Sequence, residues 1–150
     1  MGKIKVRYDV EPAYKKANEY GHIELVHDWY FTIDGKKYWI PQGYVCNGAS
    51  IPRPFWSLVG SPFDPINAVG AWGHDYLYLT HLTNRKIADE VGFQLWRQAG
   101  CKLRKARTMW FCVRTFAGFA YKNNKKDLKD LQEVRDLIAS RPDKEKFLKV

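Results

Sequence analysis

Trp29-Tyr30-Phe31-Thr32-Ile33-Asp34-Gly35-Lys36-Lys37-Tyr38-Trp39-Ile40 decides the first half of the fold. Two runs rich in aromatic and β-branched side chains flank an Asp-Gly pair. Both central residues of a type I′ turn need positive φ, which Asp and Gly reach at little cost, so the stretch predicts a two-residue β-hairpin. Upstream, residues 22–33 read as one continuous β segment. Residues 3–10 alternate polar and apolar, the pattern of a half-exposed strand. Residues 11–20 read as a polar connection or a short helix. Downstream, Pro41 ends the hairpin strand and residues 43–45 give one more short extended piece.

Beyond residue 60 the period changes. Asp64-Pro65 is a helix start, with Asp at the N-cap and Pro at the first helical position. This predicts a helix over about 65–80. A second begins at Thr83 or Asn84 and ends at Gly100. A third is predicted over about 102–122, with Leu103, Ala106, Trp110, Val113, Ala117 and Ala120 inward. Met109, Cys112, Phe116 and Phe119 form an adjacent stripe, so most of its girth is expected to be buried. A short amphipathic helix over 127–139 and a charged tail from 141 to 150 follow. The fold class is α+β: an N-terminal antiparallel sheet and hairpin, then a bundle of three to four helices. The expected organisation is a single domain over 1–150, with a β-rich part and loop to 60 and a helical part over 61–140.

Between the two halves lies Asn47-Gly48-Ala49-Ser50-Ile51-Pro52-Arg53-Pro54-Phe55-Trp56. Two prolines one residue apart argue against regular helix and central strand, so a loop is expected. Its apolar residues pack it onto the core. Asn47, Ser50 and Arg53 are its candidate binding residues.

With 150 residues, 45% of them hydrophobic and 15% aromatic, the chain can bury a sizeable core, which excludes disorder. The net charge of +9 is uneven: residues 101–150 hold 14 of the 25 Lys and Arg but only 6 of the 16 Asp and Glu. Lys102, Arg104, Lys105 and Arg107 cluster at the start of the third helix. Such a cluster suits an acidic partner or nucleic acid, although no recognised nucleic-acid motif accompanies it. Cys46, Cys101 and Cys112 have no paired spacing and read as free apolar thiols. No apolar run reaches transmembrane length. The N-terminus does not read as a signal peptide, so the expected location is the host cytoplasm, the virion or both.

One constellation stands out in the helical half. His74 and Asp75 lie in the first long helix and Asp89 in the next. His74 is eight residues before Leu82 and Asp89 seven after it, so in an antiparallel helix pair the two sit level and can face each other. Gly70, Ala71 and Gly92 let the helices approach. A carboxylate bonded to one imidazole nitrogen leaves the other free as a general base. Asp75 points about 100° away from His74; it can hold a cation or cap the Asn47–Arg53 loop. Tyr78, one turn from His74, shares its face. Read structurally, the same residues form a polar network that locks the helix pair.

Two motifs together resemble a small family of unknown function encoded mainly by bacteriophages and prophages. Residues 43–56 resemble its T-D-x-A-S-[IV]-P-R loop, with Asn47 where that family usually has Asp. Ala71-Trp72-Gly73-His74-Asp75-Tyr76-Leu77-Tyr78 with Ala88-Asp89 resemble its H-D-x-L-Y … A-D block. The resemblance implies a phage origin and no particular activity. At the level of the site alone, the arrangement is similar to bacterial phospholipase A2-type enzymes. That likeness implies His74 as base, Asp89 as its orienter and Asp75 as a ligand for a divalent cation such as calcium.

Three functions follow from these readings. The first is a phage-encoded accessory or virion-associated protein that acts through contacts with phage or host proteins, its His-Asp-Asp cluster stabilising the helix pair. The second is a small metal-assisted hydrolase of ester or lipid-like substrates with His74 as general base. The third is nucleic-acid binding through the basic C-terminal third.

Overall fold

A computed structural model describes residues 4–19, 22–46, 53–60, 64–118 and 127–143. The architecture is α+β, with antiparallel strands first and helices after them. Among the described residues, six strands form two three-stranded sheets. β1 (Val6–Arg7), β4 (Trp29–Ile33) and β5 (Lys36–Ile40) make one, in the order β1-β4-β5. β2 (Tyr14–Lys16), β3 (Ile23–Leu25) and β6 (Val45–Cys46) make the other, in the order β2-β3-β6.

The β4–β5 hairpin forms around Asp34 and Gly35, whose φ angles of 50° and 82° are those its turn requires. Trp29, Phe31 and Ile33 alternate inward along β4. Phe31 stacks on Tyr38 of β5 with ring centroids 5.4 Å apart. The remaining β regions depart from expectation in two places. Residues 22–33 are not one strand. The chain bends after β3 and passes from one sheet to the other, and Asp28 at the bend accepts the Gln42 backbone N–H at 2.8 Å. Residues 14–16, expected in a connection or short helix, instead pair with β3 as β2. Cross-strand bonding overrides the polar local sequence there.

Arg53–Phe55 form a 3-10 turn leading into the short helix α1 (Trp56–Val59), where a loop was expected. Pro54 is tolerated because the first turn of a helix leaves its N–H groups unbonded in any case. Asn47 and Ser50 lie outside the described residues.

α2 (Pro65–Thr80) and α3 (Arg85–Gln98) begin where the sequence places them. Asn84 caps α3 by accepting the Ile87 N–H at 2.9 Å. Asp64 occupies the N-cap of α2, but its side chain makes no capping bond. His81, at φ 53°, closes α2 in the left-handed conformation. α4 (Leu103–Phe116) is shorter than expected, and Leu103 and Phe116 are exposed rather than inward. Its buried face is Ala106, Met109, Cys112 and Val113. Ala120, Phe119 and Lys122 lie outside the described residues. α5 (Asp127–Ala139) follows, with Val134 buried.

Close packing of α2 on α3 rests on glycine. A Cβ at Gly70 would lie 2.2 Å from the Trp96 indole nitrogen, and one at Gly73 2.5 Å from Leu95. Gly92 sits against His74, where a Cβ would be 3.3 Å from the histidine Cβ. The partner of Gly70 on α3 is therefore Trp96. α3 also closes the edge of β1. Gln94 accepts from Val6 N–H at 2.9 Å and donates to the Ile4 carbonyl at 2.7 Å. Gln98 does the same to Tyr8, at 3.2 and 2.6 Å. Two amides one helical turn apart thus serve as the strand that β1 lacks on this side.

Candidate functional site: a buried carboxylate shared by three helices

Asp89 is wholly buried, and its neighbour His74 is 2% exposed. A lone charge there would cost several kcal/mol, so its donors matter. His74 Nε2 lies 2.8 Å from Asp89 Oδ1. The Tyr78 hydroxyl donates to the same oxygen at 2.5 Å. Arg114, from α4, donates to Oδ2 at 2.6 Å. Arg85, one turn before Asp89 on α3, has its Nε 3.9 Å from Oδ2. The His74 and Tyr78 rings pack with centroids 4.0 Å apart.

Arg85 joins the cluster to the end of α4. Its Nε donates to the Tyr78 hydroxyl at 3.2 Å, and one terminal nitrogen donates to the carbonyls of Val113 and Arg114. Both carbonyls lie in the last turn of α4, where a cation is favoured by the helix dipole; that of Val113 also accepts the Ala117 N–H at 3.1 Å. A Cβ at Gly118 would come within 2.9 Å of the guanidinium carbon, so a hydrogen at this position is what admits Arg85.

The charges decide the ionisation of the site. Burial pushes the Asp89 carboxyl up, but the hydrogen bond and charge of His74, with Tyr78 and Arg114, outweigh it and hold the group below its ordinary range. Asp89 is therefore a carboxylate at neutral pH. Burial raises the Tyr78 hydroxyl, and the Asp89 carboxylate raises it further, so Tyr78 stays protonated and donates.

Asp75 stands apart from this group. Its carboxylate is half-buried and accepts the Tyr44 hydroxyl at 2.5 Å. Burial and the Asp75 charge push the Tyr44 hydroxyl well up. Tyr44 packs edge-on to Trp72 and Tyr76, so this bond ties the second sheet to α2. Among the described residues, no three His, Cys, Asp or Glu side chains converge as a metal-ligand group.

The geometry thus brings His74, Asp89 and Tyr78 together and leaves Asp75 on another face. Arg85, Arg114 and Tyr44 are additions that sequence reading missed. Arg85 had a signal, since it precedes Asp89 by four residues on one helix face. Arg114 had none, because it lies 25 residues away on a different helix. Of the loop candidates, Arg53 is placed by its backbone in the 3-10 turn.

The chain is a member of the DUF1353 family, described as a protein of unknown function, whose pattern matches residues 23–113. The matched segment runs from β3 to α4 and holds His74, Asp75, Tyr78, Arg85 and Asp89. The chain is also similar to an uncharacterized protein, y4jT, of Sinorhizobium fredii (strain NBRC 101917 / NGR234). Identity is 32% over 94 residues, 62% of this chain and 28% of that protein. The chain therefore corresponds to little more than a quarter of that relative's length. No solved structure matches. No helix among the described residues is long and apolar enough to cross a membrane.

Proposed function

We propose that this chain is a phage-encoded accessory or virion-associated protein that works through contacts with other proteins, and that its His74–Asp89 cluster serves the fold. The phage origin is carried by the likeness of the loop and His-Asp motifs. The structural role is supported by one observation above all: Asp89 accepts from His74, Tyr78 and Arg114 at once. A carboxylate that orients a catalytic histidine keeps its charge available for the imidazolium formed in the reaction. Here the partly exposed Arg114, 2.6 Å away, already balances that charge. The donors come from α2 and α4 while Asp89 sits on α3, which is what a device for joining three helices needs.

The hydrolase reading draws on a different fact. With Nε2 on Asp89, the other ring nitrogen of His74 has no hydrogen-bond partner among the described residues. The two readings separate on His74→Leu, which removes the donor and keeps an apolar side chain. A structural role predicts a fall of several degrees in thermal midpoint, on the order of 1 kcal/mol or more at this size. An unchanged or raised midpoint, with stabilisation of the wild type by calcium, would instead favour a base retained for chemistry.

A further inference from the structure

The outward face of α4 combines cations with exposed apolar side chains. The helix contains no acidic residue, and Lys102 at its N-cap makes no side-chain capping bond. Arg104 and Lys105 follow in the first turn, so the cations stand at the positive end of the helix dipole. Lys102, Arg104 and Arg107 are exposed, and their side chains have no acidic partner among the described residues. Exposed apolar side chains lie among these charges: Leu103 is 40% and Phe111 57% exposed. Leu103, Arg107 and Phe111 recur at four-residue steps and so form one stripe, with Arg104 beside it.

The opposite face of α4 is held firmly. Ala106, Met109, Cys112 and Val113 are buried, Arg114 is bonded to Asp89, and Arg85 binds the last carbonyls. The buried cluster therefore fixes the orientation in which the stripe is displayed.

We infer that the Leu103–Arg107–Phe111 stripe of α4, with Lys102 and Arg104 beside it, docks an acidic amphipathic segment of a partner protein. This rests on the reading that the chain acts through protein contacts, and it names the partner's chemistry. Carboxylates on the segment answer these cations and the helix dipole, and its apolar side chains cover Leu103 and Phe111. Nucleic acid would find a stacking face in Phe111 but nothing for the aliphatic Leu103 to meet, whereas an amphipathic segment covers both.

The test is a fluorescence-anisotropy titration of the whole chain with a labelled peptide carrying Leu at every third or fourth position and Glu elsewhere. A polyglutamate peptide and a single-stranded oligonucleotide are titrated alongside it. The amphipathic peptide is expected to bind at least about tenfold more tightly than polyglutamate, the equivalent of about 1.4 kcal/mol. Phe111→Ala and the double variant Arg104→Glu/Arg107→Glu are each expected to weaken it by a similar factor. These side chains are exposed, and an unchanged thermal midpoint confirms that the variants fold. Absence of peptide binding, equal binding of polyglutamate, or tighter binding of the oligonucleotide would each overturn the inference. None of these outcomes bears on the His74→Leu result, so the docking face and the structural cluster fail separately.

Discussion

Arg114 of α4 donates to the Oδ2 of Asp89 at 2.6 Å, and that carboxylate is wholly buried. The ion pair couples the helix bearing the basic stripe to the helix pair that holds His74. Its energetics follow from burial. The Asp89 charge is removed from water while the Arg114 side chain is 32% exposed, so removing Arg114 leaves a buried carboxylate without its cation.

Asp89→Ala takes the ion-pair partner from the partly exposed Arg114, removes the acceptor for His74 and Tyr78, and opens space at the junction of three helices. The expected loss is about 3 kcal/mol, the low end for breaking a buried pair because Arg114 keeps contact with water, and larger than for His74→Leu. Chemical denaturation checks this. A loss below that of His74→Leu would mean that Asp89 is not the centre of the cluster.

The pH dependence has a definite sign. Asp89 has its pKa depressed in the folded protein, because His74, Tyr78 and Arg114 together overcome burial. An unfolded Asp titrates near about 3.9. Its contribution is thus fully present above that value and is lost as pH falls through the lower folded value. Asp28 is depressed in the same direction: burial opposes ionisation, but the Gln42 backbone N–H and Arg141 outweigh it. Stability measured from neutral pH downward is expected to fall below about pH 4. In Asp89→Asn this acid slope is shallower. An identical slope in the variant would show that Asp89 titrates as it does in the unfolded chain.

Gly70→Ala tests the helix contact. Its Cβ would sit 2.2 Å from the Trp96 indole nitrogen, and that nitrogen donates to the Asn67 carbonyl at 2.8 Å. Relief requires moving a fully buried indole, at a cost of roughly 1–3 kcal/mol or more. Gly92→Ala meets His74 at 3.3 Å and is expected to cost less. The two midpoints measured side by side check the order.

Tyr44→Phe removes the hydroxyl that donates to Asp75 at 2.5 Å. A lost bond to a charged group in this setting is expected to cost about 1.5–3 kcal/mol. Because Tyr44 joins the second sheet to α2, faster amide exchange in β3 and β6 should accompany the loss. An exchange pattern unchanged in those strands would show that the bond does not couple the sheet to the helix.

The local sequence determined a good deal of this molecule. Asp34-Gly35 set the hairpin turn because few residues accept positive φ there, and Pro65 and Asn84 set the starts of α2 and α3. The short connection between those helices placed His74 level with Asp89, since a 1.5 Å rise per residue leaves little freedom once the turn is known. Tertiary structure decided the rest. Residues 14–16 became a strand only because β3 offered backbone partners. Residues 22–33 divided between two sheets because the bend at Asp28 is bonded to Gln42, distant in the chain. Arg114 reached Asp89, and Leu103 and Phe111 faced outward, through the rotation of α4 about its axis. That rotation is set by which face packs best against α3, a property of the assembled core that no periodicity within α4 contains.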